Sequence, residues 1–430
     1  MDIKYIQSLI ETLPGISAWE IRRLRKKSHQ RYLIFNEIES QRLVETEKFR
    51  VTLYKKYNCQ RKMVLGESTV SLSEGENARE RLSKGLEMAS LVANPIFHLP
   101  EKGISYGQVQ TVDPEVKEKP LSYLDRIQED FSKIPLDKVK RSSAEIFIED
   151  NEVLLLNSRG LEKEAAATEI LVDFVLLAEK GQSLEGESQG AKRVRFYRDL
   201  HLSEMVEQYA QYARESLEAR IPQEGAFPVV FSEEGLDTLF NFFCLQASGP
   251  AQYQHWTQMV LGKPVIANPK GDGLTLTSNP CLSGGIKSRS FDDNGLPLYR
   301  KNVIKDNIFV RRMNSKRYAD YLGEEPTGEF SNIEVASGPR SSKELFEGPC
   351  YHLLRFSTFE PNPITGAFSG EIRTGYFLKD GQKMAIKGGS VSGTMQEAFK
   401  EVFFSRERIQ REAYLGPEAI RIEKLAIAGN

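Results

Sequence analysis

Hydrophobic residues recur at helical spacing in three stretches of the first half of the chain. Near the N-terminus they stand at positions 3, 6, 9, 10 and 13, which predicts an amphipathic helix. A signal peptide is not expected there, because a basic flank and a small-residue cleavage site are absent. A second helix is predicted over 71–94, where Ser73 and Glu76 match a capping box, and a third over 202–219.

Short apolar runs predict β-strands elsewhere. The region 19–70 is typical of an antiparallel meander, and 145–156 predicts a hairpin with its turn at 149–152. The stretch 161–177 is ambiguous, because its alanines favour a helix whereas its β-branched residues favour a strand. The run 420–428 predicts a final strand.

The second half opens after residues 221–225, a stretch with Pro and Gly that we interpret as an interdomain junction. A strand is predicted over 227–231 and a helix over 236–244, with Ser232 as the helix cap. The remainder consists mostly of short strands and Gly-rich turns.

The stretch 274–310 is the densest in residues with special backbone properties. Gly284 and Gly285 permit an unusual conformation or the close approach of another chain, and 291–295 sets one aromatic ring beside a polar turn. The two aspartates of that turn are a weak cation site, since adjacent side chains on a strand point to opposite faces. From the residues alone, a surface hairpin is the favoured explanation of the stretch. Two short strands are predicted near its end, over 296–300 and 307–311.

Chain length and charge limit the number of domains and the classes of partner. With 430 residues, the chain is too long for one ordinary core, so we predict two α+β domains, 1–222 and 223–430. Both are expected to hold antiparallel sheets with packed helices, and the second to be rich in short strands. The net charge of −2 provides no basic field for nucleic acid, and the basic run 22–27 is better explained as a solvated strand face.

Neither a membrane span nor a catalytic constellation is predicted. Apolar runs stay well below the roughly 20 residues that cross a bilayer. The four cysteines are scattered without a C-x-x-C, which indicates a reduced, cytoplasmic protein. Cys350 and His352 form the sole close Cys/His pair, and they would share one face of a strand. Gly388 and Gly389 could cradle an anion, although a turn between strands explains them too.

Several motifs occur together, in order, along nearly the whole chain. They include residues 156–161, the strand 228–231 with the helix after it, F-D-D-N-G at 291–295, N-P-I-T-G at 362–366, and the I-A-G that ends at Gly429. Together they resemble the TldD/PmbA family, formerly called modulators of DNA gyrase, whose own element is F-D-D-E-G. The chain is similar to the PmbA (TldE) branch of that family.

The resemblance implies a strand over 161–177 and a dimer that encloses a cavity. It also implies a TldD-type partner that carries zinc through H-E-x-x-x-H and a late cysteine, the pair acting as a peptidase on unfolded or modified peptides. In this chain Asn241, Phe242 and Gln246 stand at the three motif positions. Amides are poor zinc ligands and a phenyl ring cannot be a general base. We therefore expect no catalytic residue, metal or cofactor here, and zinc in the partner alone.

The resulting hypothesis is a zinc-less subunit of a TldD/TldE-type metallopeptidase, with a homodimer when the chain is alone. One alternative is a stand-alone homodimeric peptide-binding protein. Another is a regulator associated with DNA gyrase or nucleic acid, against which the near-neutral charge argues. We expect no independent zinc peptidase activity, and a peptidase that uses unrecognised residues is the last alternative. The residues predicted to line the enclosed cavity are Gly284, Gly285, Phe291, Asp292, Asp293, Gly295, Gly388 and Gly389.

Overall fold

The computed structural model describes residues 2–103, 105–181 and 183–429. In this part of the chain, 19 β-strands, ten α-helices and two short 3₁₀ helices form, so the predicted α+β class is confirmed. None of these helices combines the length and the apolar character needed to cross a membrane.

Six strands of the first half form one antiparallel sheet. They are β1 (Ala18–Ile34), β2 (Glu37–Cys59), β3 (Lys62–Leu72), β4 (Val139–Asn157), β5 (Glu162–Lys180) and β6 (Ser183–Val194). Their order is β3-β2-β1-β4-β5-β6. The meander predicted over 19–70 is thus confirmed, and 161–177 belongs to a strand, as the resemblance implied.

Helices pack against this sheet in two groups. They are α1 (Ile3–Glu11), α2 (Ala78–Ala89), α3 (Pro114–Glu118), α4 (Pro120–Lys133) and α5 (Leu202–Ser216). Apolar side chains of α1 and α2 share a core with β1–β3 around Phe49, whereas those of α4 and α5 share a core with β4 and β5 around Phe174. The amphipathic helices predicted at the N-terminus and over 202–219 are confirmed.

Two predictions for the first half are wrong. Strand β4 runs unbroken through 149–152, where the turn of a hairpin is predicted, because these residues pair with β1 on one side and β5 on the other. Pairing on both sides outweighs the turn preference of Asp and Asn. The helix predicted over 71–94 begins only at Ala78, since β3 extends to Leu72 and a turn follows it, and Asn77 caps the helix in place of Ser73.

The described part of the second half contains 13 strands, most of them short, and five α-helices. The strands are β7 (Gly225–Phe231), β8 (Leu276–Asn279), β9 (Lys301–Lys305), β10 (Ile308–Phe309), β11 (Asn332–Val335), β12 (Cys350–Phe359), β13 (Ala367–Lys379), β14 (Gln382–Ile386), β15 (Ser390–Thr394), β16 (Val402–Phe404), β17 (Arg408–Arg411), β18 (Tyr414–Pro417) and β19 (Ile420–Ala428). The helices are α6 (Gly235–Gln246), α7 (Gly249–Tyr253), α8 (Lys316–Leu322), α9 (Ser342–Leu345) and α10 (Met395–Ala398).

Five of these strands close into a barrel. The pairings run β12-β7-β19-β15-β13, and β13 pairs with β12 again, so the ring has no free edge within it. A second sheet has the order β10-β9-β8-β11-β18-β17. Helix α6 belongs to the core that joins the two sheets, where the ring of Phe240 stacks on Tyr414.

Two further predictions fail in this half. Ser232 does not cap α6: Glu234 holds the N-cap position without a side-chain bond, and the Ser232 hydroxyl pairs with His352 Nε2 at 2.9 Å. The strand predicted over 296–300 is displaced, because β9 begins at Lys301. A turn joins β9 to β10, and φ is positive at its residues 306 and 307. The predicted strands over 227–231 and 420–428 are confirmed.

Candidate functional site

A cavity of about 850 Å³ lies between the sheet of the first half and the loop 286–293 of the second. Strand β1 contributes Arg22, and β4 and β5 contribute the floor. The loop forms the opposite wall. The lining residues used below are Arg22, Ala167, Arg195, Ile286, Asp292 and Asp293.

The floor of the cavity is an incompletely paired part of β5. Strand β6 pairs with β5 from Ile170 onward, so in the described part of the chain residues 162–169 have a strand partner on the β4 side alone. Thr111 occupies part of the other side, where its carbonyl accepts the Thr168 N–H and its hydroxyl donates to the Ala166 carbonyl. The alanines 165–167 keep this floor shallow, which leaves room for another extended chain.

Asp292 is the most deeply buried acid of the cavity wall. Its Oδ1 accepts the N–H groups of Asn294 and Leu296 and thereby fixes the turn. The residue is 1% exposed, and Oδ2 has no hydrogen-bond partner among the described residues. Burial, with Glu329 nearby, raises the pKa of Asp292 to about 7, although the two N–H groups oppose this rise. Near neutral pH the carboxyl can therefore either accept or donate a hydrogen bond.

Asp293 makes contacts different from those of Asp292. Its carboxylate meets Arg289 at 2.7 Å and Arg22 of β1 at 3.1 Å. Burial disfavours ionisation, but the two guanidinium groups outweigh it and lower the pKa of Asp293. The two aspartates thus differ in role, and Asp293 ties the loop of the second half to the sheet of the first.

Arg195 makes a second tie between the halves. It donates to the carbonyls of Thr168 and Ile286, so it spans from β5 to the loop. The residue is 8% exposed, and its Nε has no partner among the described residues. Burial lowers the pKa of Arg195, although Glu169 at 3.8 Å favours the charged form. Two polar atoms of the cavity wall, Oδ2 of Asp292 and Nε of Arg195, thus lack a hydrogen-bond partner among the described residues, and both are buried.

The motif positions on α6 lie outside this cavity and have separate roles. Asn241 is exposed and borders an open pocket of about 460 Å³. Phe242 is 3% exposed and belongs to the core. The Gln246 amide donates to the backbone carbonyls of Trp256 at 3.1 Å and Pro363 at 2.7 Å, and so joins two loops. These side chains do not converge on a point where an ion could lie.

The remaining candidate ligands do not assemble into a metal centre either. His352 bonds Ser232, and Cys350 is buried with its thiol near the Phe346 carbonyl. Burial lowers the pKa of His352 to about 4, with Lys383 adding to the effect. Across the described residues, no group of three or more His, Cys, Asp or Glu side chains has metal-binding geometry.

The predicted lining residues divide into two sets. Phe291, Asp292 and Asp293 border the 850 Å³ cavity. The glycines serve close packing instead: a Cβ at Gly285 would lie 2.7 Å from Asn332, and one at Gly295, 2.3 Å from Leu161. Gly284 approaches the Asp199 carboxylate, whereas Gly388 and Gly389 form the turn between β14 and β15. Their role in a cavity enclosed by a dimer stays a prediction.

Sequence reasoning missed the contribution of the first half. Arg195 and Ala167 are brought to the loop by strand pairing, and no local motif marks them. For the basic run of β1, charge is a signal that could have been used: its basic side chains form ion pairs with acidic side chains of the neighbouring strands. Ion pairs there join Arg25 to Glu47, Lys26 to Glu149 and Lys27 to Glu45. This pairing leaves little basic surface for nucleic acid.

Comparison with known proteins gives concordant matches. Residues 224–429 match the profile of the PmbA/TldA metallopeptidase C-terminal domain. Metalloprotease PmbA of Escherichia coli O157:H7 is 22% identical over 284 residues, which cover 64% of this chain and 61% of that protein, less than two thirds of its length. A Synechocystis metalloprotease is 26% identical over 362 residues, covering 76% of this chain and 73% of that protein.

Solved structures share the fold over nearly the whole chain. TldE from Thermococcus kodakarensis superposes with a TM-score of 0.77 at 18% identity, covering 99% of both chains. A Thermotoga maritima protein described as a candidate modulator of a DNA gyrase gives a TM-score of 0.81 at 18% identity, with the same coverage.

Proposed function

Because the chain belongs to the TldD/PmbA family, we propose that it is the zinc-less, TldE-like subunit of a TldD/TldE-type metallopeptidase acting on unfolded or modified peptides. The observation that carries this proposal is the helix α6. Phe242 is committed to the core and Gln246 to two backbone carbonyls, so a single exposed amide, Asn241, is left at the motif positions. One amide cannot replace two imidazoles and a carboxylate. Zinc and the hydrolytic step are therefore assigned to a TldD-like partner.

The 850 Å³ cavity is the place we propose for the peptide. The partly unpaired edge of β5 can accept an extended chain as an added strand, a mode that recognises backbone rather than side chains. Backbone recognition suits a subunit that handles unfolded or modified peptides of varied sequence.

The remaining parts of the proposal concern assembly and location. We propose that residues 1–222 and 223–430 form the two domains of each subunit, and that the chain forms a homodimer when its partner is absent. The four cysteines are free thiols, which is compatible with a reducing cytoplasm. Neither a membrane nor a nucleic acid is proposed as a partner.

Co-expression with the TldD-type protein of the same organism tests the proposal. We expect the two chains to co-purify and the complex to degrade an unfolded polypeptide, reduced casein, faster than the partner alone. Failure to co-purify, with full activity of the partner alone, would refute the proposal. Casein binding by the chain without any such partner would favour the stand-alone alternative, and salt-dependent DNA binding would favour the gyrase-associated one.

A cavity-filling variant separates assembly from peptide handling. Ala167→Trp places an indole over the floor of the cavity, so we expect co-purification to persist and casein binding to fall. Thr69→Trp is the matched control, because it introduces the same residue at an exposed position of β3. Equal casein binding by both variants would indicate that the peptide binds outside this cavity.

A further inference from the structure

A second cavity, of about 420 Å³, lies between strands β1 and β4 and the beginning of α4. Glu149 and Thr168 also belong to the floor of the first cavity, but the other residues around this one have no part in the function proposed above. The polar and charged residues around it are Lys27, His29, Lys117, Glu118, Lys119, Ser122, Glu149, Asp150 and Thr168.

Helix α4 points its N-terminus at this cavity. The helix has 14 residues, begins with Pro120 and carries no side-chain cap. Pro120 has no N–H, and the N–H groups of Leu121 and Ser122 lie in the first turn, where a helix has no internal acceptors. Because Leu121 and Ser122 both line the cavity, its wall includes the positive end of the helix dipole.

His29 is an independent second observation at the same place. It lies on β1 opposite Ile148 of β4, lines the cavity and is 9% exposed. Its Nε2 has no hydrogen-bond partner among the described residues. Burial lowers the pKa of His29, and Lys27 adds to this effect while Glu45 opposes it. A buried ring nitrogen without a partner is costly unless a ligand satisfies it.

The carboxylates around the cavity already have cationic partners. Lys117 holds Asp150 at 2.9 Å and also meets Glu152 at 3.1 Å, and Lys26 holds Glu149 at 2.5 Å. The exposed residues Glu118 and Lys119 stand at the mouth, where their charges offset each other. The unpartnered groups that can bind an anion are the N–H groups of the helix N-terminus and Nε2 of His29, which donates when it carries the proton.

We propose that this cavity is a binding site for a small oxyanion, a phosphate or a carboxylate group, held by the first turn of α4 and by His29. Both anions present several oxygen acceptors to these donors, and both are favoured by the dipole. A cation would meet the same positive helix end and would leave the backbone N–H groups unsatisfied.

Titration of the histidines by NMR tests the site directly, since the chain contains only five. With inorganic phosphate present, we expect the pKa of His29 to rise by about one pH unit, because an anion bound beside it favours the imidazolium form. His98, which is exposed and pairs with Asp320, is the internal control. An unchanged His29, or equal shifts of both residues, would overturn the proposal. Acetate in place of phosphate shows whether a carboxylate suffices.

Charge reversal at the mouth provides a second test that does not threaten folding. Lys119→Glu adds a carboxylate beside the helix N-terminus, and we expect phosphate affinity measured by calorimetry to fall about tenfold. Lys84→Glu is the matched control, because Lys84 is an exposed lysine of α2. In addition, His29→Leu should abolish the heat of binding while circular dichroism stays unchanged. Equal affinities in Lys119→Glu and Lys84→Glu would refute the assigned position.

Discussion

Replacing Phe242 by alanine tests whether the central motif position of α6 is structural. The ring is 3% exposed and packs on Phe243, with ring centroids 5.2 Å apart. An aromatic side chain buries ~150–250 Å², which at ~25 cal/mol/Å² gives ~4–6 kcal/mol as an upper estimate. Measured substitutions of buried Phe by Ala cost ~3–5 kcal/mol, because the cavity left behind adds to the lost burial. We therefore expect a loss of ~3–5 kcal/mol.

The assay is urea unfolding followed by tryptophan fluorescence. A chain of this length need not unfold in one step, so the probe must report on the second half. The chain has two tryptophans, Trp19 and Trp256, and a Trp19→Phe background leaves the one near α6. Asn241→Ala is the control, because Asn241 is exposed on the same helix and should change stability by less than ~0.5 kcal/mol. A cost below ~1 kcal/mol for Phe242→Ala would refute the assignment of this ring to the core.

Three further predictions concern buried polar groups and close packing. Burial raises the pKa of Asp292 from 3.8 to about 7, so the stability due to its bound proton is lost as pH rises through that range. Between pH 4 and pH 7, the free energy of unfolding of Asp292→Asn, measured in urea, should therefore increase by ~2–4 kcal/mol relative to that of the wild type. The same pH dependence in both proteins would contradict this. In thermal unfolding, Gly295→Ala should lower the stability by ~2 kcal/mol more than Gly381→Ala. Both glycines have positive φ, but of the two only Gly295 has a side chain, that of Leu161, where the new Cβ would lie. Equal losses of stability would argue against this packing. Gln246→Leu leaves two carbonyls without their donor and should lower the free energy of unfolding by ~2–4 kcal/mol. An unchanged free energy of unfolding would argue against the role of Gln246 in joining the two loops.

The local periodicity of apolar residues was sufficient to predict a helix or strand wherever one face of that element is buried along its whole length. The spacing of apolar residues identifies α1 and α5, and in the final strand β19 buried residues alternate with accessible ones on either side of a bulge between Ile422 and Leu425. It failed for β4 and for the start of α2. In β4 the residues 149–152 have turn-forming side chains, and only the strands on either side keep them extended. Such pairing involves partners far away in the chain and leaves no local pattern.

The candidate site was predictable in part for the same reason. The F-D-D-N-G turn is a local signal, because the Asp292 carboxylate accepts the N–H groups of residues two and four positions further on. By contrast, Arg195 lies 91 positions from Ile286, whose carbonyl it bonds. The cavity exists because the two halves meet there, and neither half marks that contact in its own sequence.

Zinc content, measured on the purified chain alone and on its complex with the TldD-type partner, tests the central claim most directly. The account predicts that elemental analysis finds no stoichiometric zinc in the chain alone, and that zinc in the complex follows the amount of partner. It further predicts that a chelator abolishes peptidase activity only in preparations that contain the partner. Stoichiometric zinc bound by this chain alone, with peptide cleavage that the chelator removes, would contradict the account.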